Sequence, residues 1–265
     1  MNNEKLKTYS YDKLIFELIK LSRLHKFKAK LIGYEKFENI KAVYPLYRFT
    51  INPKAKIIFG IVTGIHGDEI AGPLSIYYLF KKQKKYFNKK ICYYIYPTIS
   101  PTAYDLKRRY DDDNVELNTL NKRTLKNYKY HEIKSFYLDV KNKKFDAIIS
   151  LHEDVKQKKF YAYINQENNE VYKKIINNAT KHCGILKKKI IDKRVSNQKG
   201  VIIGGHDQTI EDWLFCHKKP KICITTETPG KINLDTRIEI NLNNIKLLNN
   251  YILKMKNPAR HKWTG

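Results

Sequence analysis

Three short apolar runs, each closed by titratable residues, constrain the fold of this chain more than any other feature. Ile57-Ile58-Phe59-Gly60-Ile61-Val62 stops at Thr63 and Gly64, and His66 and Glu69 follow. "FDAIISLHED" ends its apolar part on His152, and "ICITTETPG" ends on Glu227. Runs of this length, rich in Ile and bounded by turn residues, read as buried strands. "KAKLIGYE", "IKAVYPLYRFTI" and "KKICYYIYP" add further strands. Between them lie stretches of helical character. Residues 9–26 carry Leu14, Ile15, Leu18, Ile19 and Leu21 at helical spacing. "DEIAGPLSIYYLFKKQKKYF" tolerates Pro73 because it falls in the first turns. "HEIKSFYLDVKNKK", residues 168–183 and a closing segment over 241–256 complete the set, with residues 98–130 as a long loop plus a short helix. Strands alternating with helices predict an α/β fold: one domain over residues 1–265, with a mixed, mainly parallel central sheet flanked by helices. Ligand sites in such sheets lie beyond the carboxyl ends of the strands. His66, Glu69, His152 and Glu227 should therefore meet at one rim.

Length and composition agree with that picture. A chain of 265 residues with 42% hydrophobic residues has material for one large core. The formal net charge is +26, which raises the question of nucleic acid. The basic residues are mostly lysines spread along the whole chain. This favours a general attraction for anionic substrates over specific nucleic-acid binding. The lysine clusters at 81–85 and 187–189 read as solvated faces. Cys92, Cys183, Cys216 and Cys223 form no CxxC pair and read as thiols of a reducing compartment. No secretory signal is visible at the N-terminus, and no stretch approaches the roughly 18 apolar residues of a membrane span. The expectation is a cytoplasmic protein without a membrane partner.

The chemistry of the four rim residues suggests a metal. A hydrolytic zinc takes three protein ligands from His and carboxylate and keeps one position for water. His66, Glu69 and His152 make such a set, and Glu227 is a further carboxylate able to take a proton. Each residue also has an ordinary explanation. His66 could be a loop histidine bonded to backbone, Glu69 a helix N-terminal acid, His152 a polar strand end and Glu227 a solvated acid before Pro229-Gly230. It is the joint occurrence, each just past an apolar strand, that points to a site.

The motifs resemble those of a known family. "GIHGDE" resembles the HGxE motif of zinc carboxypeptidases and of the related succinylglutamate desuccinylase/aspartoacylase group. "YPTISPTAYDLKRRYDDDNVELN" resembles the block that runs from Asn-Pro through an arginine to Asp-Leu-Asn-Arg. "SLHED" resembles the strand of the third zinc ligand, and "TTETPG" the strand of the general-base glutamate. "GGHDQTIEDWLF" is similar to a segment of small bacterial members, among them murein peptide amidases. The likeness covers about residues 57–230, with its motifs in family order.

The resemblance implies a zinc carboxypeptidase-like fold, with Zn²⁺ held by His66, Glu69 and His152. Glu227 would be the general base, Arg109 would stabilise the oxyanion, and Asn118 would hold a substrate carboxylate or backbone. Two departures stand out. The Asp-Leu-Asn-Arg block is Glu116-Leu117-Asn118-Thr119, so the carboxylate-clamping arginine is absent. Arg123 or a lysine would have to replace it, a lysine without the bidentate fork. The Asn of Asn-Pro is Tyr96. The expected activity is metal-dependent cleavage of a peptide amide bond in an anionic peptide or acyl amino acid substrate. The alternatives are N-acyl amino acid deacylation and, more remotely, a non-catalytic basic protein that binds nucleic acid. "TTETPG", and the short chain left after Glu227, favour the peptidase. Asp154, Tyr161 and Tyr163 are further candidates for contact with substrate. Trp213 reads as core, and His206 and His217 as surface.

Overall fold

The computed structural model describes residues 10–37, 42–111, 114–118, 131–164, 169–197, 199–204 and 209–256. Helix α1 (Tyr11–Leu24) starts at Ser10, whose hydroxyl accepts the Lys13 N–H, and buries Tyr11, Leu14, Ile15 and Leu18 along one stripe. The antiparallel pair β1 (Lys28–Phe37) and β2 (Ala42–Ile51) follows, then β3 (Ile57–Thr63). Helix α2 (Ala71–Lys81) is almost wholly buried, and a single turn, α3 (Gln83–Tyr86), leads from it to β4 (Ile91–Tyr96). Helices α4 (Pro101–Leu106) and α5 (His131–Val140) precede β5 (Ala147–Asp154) and β6 (Lys159–Ile164). Helix α6 (Asn169–Ala179) leads to the short strands β7 (Gly184–Ile185), β8 (Ile190–Ile191), β9 (Arg194–Val195) and β10 (Val201–Ile203). Helix α7 (Ile210–Lys218), β11 (Ile222–Pro229) and α8 (Leu234–Lys256) close the chain.

The main sheet runs β1-β2-β4-β3-β5-β11-β6-β10, with β7 beside β6. Its centre, β4-β3-β5-β11, is parallel, while β1, β2 and the β11–β6 contact are antiparallel. The expected mixed, mainly parallel sheet is the one observed. Its central strands are apolar on both sides because both faces are covered, as parallel strands require. One core holds Phe49, Phe59, Phe80 and Ile149 with α1, α2 and α8. A second holds Val62, Tyr96, Ile148 and Phe136 with α5 and α7.

The parallel register does the positioning. Thr63 lies beside Leu151, and His152 is the direct partner of Glu227. Side chains alternate along β5. Ser150 and His152 face one side, and Glu153 the other. Glu153 is buried. Its Oε1 accepts from Arg237 of α8 at 2.6 Å, and its Oε2 accepts the Ala71 N–H at the start of α2 at 2.8 Å. Burial still outweighs Arg237 and pushes the Glu153 carboxyl up to about 7.

Several elements differ from the sequence expectation. The closing helix begins at Leu234, seven residues before 241, because Arg237-Ile238-Glu239-Ile240 alternates polar and apolar residues and hides the helical period, and it carries buried asparagines further on. Asn241 donates to Ser75 Oγ, and Asn249 donates to the Tyr86 carbonyl at 2.6 Å. The segment "KKFYAYI", the short strands 184–203 and the helix over 210–218 had no expectation at all. No helix among the described residues is long and apolar enough to cross a membrane.

Replacing Arg237 by Leu leaves a buried carboxylate without its cation. Urea unfolding at pH 8 should show a loss of about 3–5 kcal/mol, and adding Glu153→Gln should recover much of it. Equal losses in the single and double variants would show that the pair is not the cause.

Candidate metal centre

The His66 loop is shaped by glycines. Gly64 adopts φ +63°, and its carbonyl accepts the N–H groups of Ile99 and Ser100. Gly67 lies so close to α4 that a Cβ there would fall 1.7 Å from the Ala103 carbonyl oxygen. Its N–H donates to the Arg108 carbonyl at 3.0 Å, which joins the His66 loop to the segment that carries Arg109.

The structure brings His66, Glu69 and His152 together, with one ligand-type atom from each within 4.8 Å of the others. All three are at most 3% exposed. His66 Nδ1 lies 2.5 Å from Glu69 Oε1, and His152 Nδ1 lies 2.8 Å from Glu69 Oε2. The far ring nitrogens are held by other carboxylates: His66 Nε2 by Glu116 at 2.8 Å and His152 Nε2 by Glu211 at 2.9 Å. In the metal-free chain each Nε2 donates to its outer carboxylate and each Nδ1 donates to a Glu69 oxygen, so a metal that displaced the two Nδ1 protons would meet two imidazole lone pairs beside the Glu69 carboxylate. That is the donor set a divalent metal requires, and the outer carboxylates are the usual partners of metal-binding imidazoles. The residues present fit a metal ion.

Arg109 stands at the edge. Its Nε donates to Glu116 Oε2 at 2.5 Å, and a terminal guanidinium nitrogen lies 3.7 Å from Glu69 Oε1. Glu227, on the strand next to His152, lines the same cavity of about 680 Å³ as Arg109, Asn118, Asp154, Lys156, Tyr161 and Tyr163. Asn118 reaches the wall with its Oδ1 already accepting the Ile210 N–H of α7 at 3.1 Å. The Tyr161 and Tyr163 hydroxyls donate to Asp154 and Asp192, each at 3.1 Å. Tyr96 turns the other way and donates to Asp139 at 2.8 Å, so the missing Asn is not replaced from that position. Trp213 is half-buried against Tyr137 and His217, and His217 is exposed. Thr119, Arg123 and His206 lie outside the described residues. Sequence reading missed Glu211. The only mark it leaves is its position three residues before Leu214, on the buried side of α7.

The electrostatics follow from mutual burial. Burial opposes a charged His66, yet Glu69 and Glu116 overcome it and raise its pKa to about 9. His152 is raised by Glu69 and Glu211 against the same penalty. Glu69 moves down despite burial because two imidazoles face it. Glu227 has no such pair, and burial pushes it up to about 8, opposed first by His152.

No family model matches the chain, and no curated protein sequence does. Solved structures do. A candidate metallopeptidase from Shewanella amazonensis superposes with a TM-score of 0.75 over 92% of each chain, at 19% identity. A metallo-carboxypeptidase from Burkholderia cenocepacia gives 0.70 at 11% identity, covering 93% of this chain and 70% of that one. The chain has the metallocarboxypeptidase fold. A metallo-carboxypeptidase from Pseudomonas aeruginosa, solved with (2-guanidinoethylmercapto)succinic acid, shares this fold with a TM-score of 0.67 at 12% identity. That match covers 95% of this chain and 70% of the other.

Two predictions follow from this geometry. In the metal-free chain the raised pKa of His66 gives a stabilisation that is full below pH 6.5 and is lost as pH rises to about 9. The thermal midpoint of chelator-treated protein should fall across that window, and a flat profile would contradict it. Because both imidazoles are protonated in the metal-free chain, loading a divalent metal at pH 7 should release about two protons. Titration calorimetry in buffers of different ionisation enthalpy measures this number, and release near zero would refute the assignment.

Proposed function

We propose that the chain is a zinc-dependent hydrolase of metallocarboxypeptidase type that cleaves a peptide amide bond, with residues 1–265 as its single catalytic domain. The observation that carries the reading is the convergence of His66 Nδ1, His152 Nδ1 and the Glu69 carboxylate in a cavity that also holds Glu227 and Arg109. A set of two imidazoles and one carboxylate favours zinc. The metal, when bound, supplies polarisation of the scissile carbonyl and a water acidic near neutral pH.

The chain's own groups do the rest. Glu227 takes the proton of the attacking water and returns it to the leaving amine. Burial raises its pKa above the usual carboxylate range, which favours return of the proton to the leaving amine. Arg109, anchored by Glu116, offers the remainder of its guanidinium to the developing oxyanion. Asn118 binds substrate backbone. Lys156, a cation on the cavity wall, takes the role of the missing arginine at Thr119 and attracts a carboxylate as a point charge. The free state of Cys92, Cys183, Cys216 and Cys223 supports a cytoplasmic setting.

The test is a panel of short peptides and N-acyl amino acids assayed with zinc-loaded protein. Peptide cleavage is expected, with Glu227→Gln lowering kcat by about 10²–10⁴ while zinc content stays unchanged. Turnover of acyl amino acids alone would move the assignment to a deacylase. No turnover together with salt-sensitive binding of nucleic acid would move it to a basic binding protein.

A further inference from the structure

His66 and His152 each need one nitrogen protonated and the other free before either can ligate. For His152 the group that decides this is Glu211. We propose that Glu211 is the positioning residue of His152, fixing its proton on Nε2 and so presenting Nδ1 to a divalent metal. The proposal rests on the metal reading above.

The local structure is built for it. Ser150 and His152 lie two residues apart on β5, so their side chains share the face turned toward α7. Glu211 stands in the first turn of α7 and is 4% exposed. Thr209 caps that turn by accepting the Asp212 N–H at 3.2 Å, and a helix N-terminus favours a carboxylate. One oxygen of Glu211, Oε1, receives the Ser150 hydroxyl at 2.7 Å and His152 Nε2 at 2.9 Å. A carboxylate can only accept, so in the metal-free chain the imidazole donates from Nε2 to Glu211 and from Nδ1 to Glu69 Oε2 at 2.8 Å. A divalent metal shared with Glu69 would displace the Nδ1 proton, while Glu211 keeps the other on Nε2, so the lone pair offered to the metal is that of Nδ1.

What holds Glu211 in place links the two histidines. Asn118 Oδ1 accepts the Ile210 N–H at 3.1 Å and fixes the start of α7. The Asn118 N–H in turn donates to Glu116 Oε1 at 3.3 Å, the oxygen bonded to His66 Nε2. The segment Glu116-Leu117-Asn118 thus braces His66 directly and His152 through α7. A buried acid that merely satisfied Ser150 would share the burial but would not be required for metal affinity.

The experiment is a competition titration of zinc against a chelating dye, with wild type, Glu211→Gln and Ser150→Ala, alongside the thermal midpoint of each metal-free protein. The expected result for Glu211→Gln is a 10–100-fold weaker zinc affinity with a metal-free midpoint within a few degrees of wild type. Ser150→Ala should weaken zinc by less than about threefold, because His152 keeps its own bond to the carboxylate. Zinc affinity of Glu211→Gln within about twofold of wild type would overturn the proposal while leaving the metal reading intact. Wild type that binds no zinc would overturn both. Should Glu211→Gln fail to fold, long-range ¹H–¹⁵N spectra of zinc-loaded wild type decide the matter. Protonation of His152 at Nε2 is expected, and protonation at Nδ1 would overturn the proposal.

Discussion

The Glu69 carboxylate, shared between two imidazoles, is the contact on which the site depends. One oxygen faces His66 and the other His152, and the second also accepts the Glu153 N–H at 3.1 Å. Three buried ionisable groups in this proximity would be costly in isolation. They persist because each carries a partner. Burial alone would favour neutral forms, whereas the mutual arrangement holds Glu69 ionised and both histidines cationic until something displaces their protons. A divalent cation is the species that can take that place.

The sheet makes the arrangement possible by dividing labour across β5. Ser150 and His152 serve the cavity side, while Glu153 points back to tie α8 and α2 to the strand. Losing a single residue in β5 would exchange these faces. The same economy shows in α7, whose N-terminal turn gives Glu211 to His152 while Leu214 packs in the core. Charge is distributed against the grain of the whole protein. The chain carries +26, yet the cavity wall includes Asp68, Asp154, Asp192 and Glu227 beside Arg109 and Lys156. The overall positive charge therefore does not describe the field a substrate meets inside.

Much of this was legible in the sequence, and the reasons are specific. β3, β5 and β11 are apolar on both faces, a pattern that marks strands covered on both sides, and each delivers its titratable residue to the rim. The order of "GIHGDE", "VELN", "SLHED" and "TTETPG" pointed to the family whose fold the chain adopts. The outer carboxylates were harder. Glu116 stands where an aspartate was expected, and its extra methylene still lets it reach both His66 Nε2 and Arg109 Nε. Glu211 was invisible because nothing local distinguishes a buried acid from a helix N-terminal one; its partner lies 59 residues away in sequence. The start of α8 was hidden by the polar–apolar alternation of Arg237-Ile238-Glu239-Ile240, and β7 to β10 are too short to show periodicity.

The central claim is that His66, Glu69 and His152 form one metal centre. X-ray absorption of the protein loaded with one equivalent of zinc tests it most directly. The account predicts a first shell of nitrogen and oxygen only, at about 2.0–2.2 Å, with the multiple-scattering signature of two imidazoles. A sulfur shell near about 2.3 Å, or a shell without imidazole, would contradict it by showing that the metal binds elsewhere.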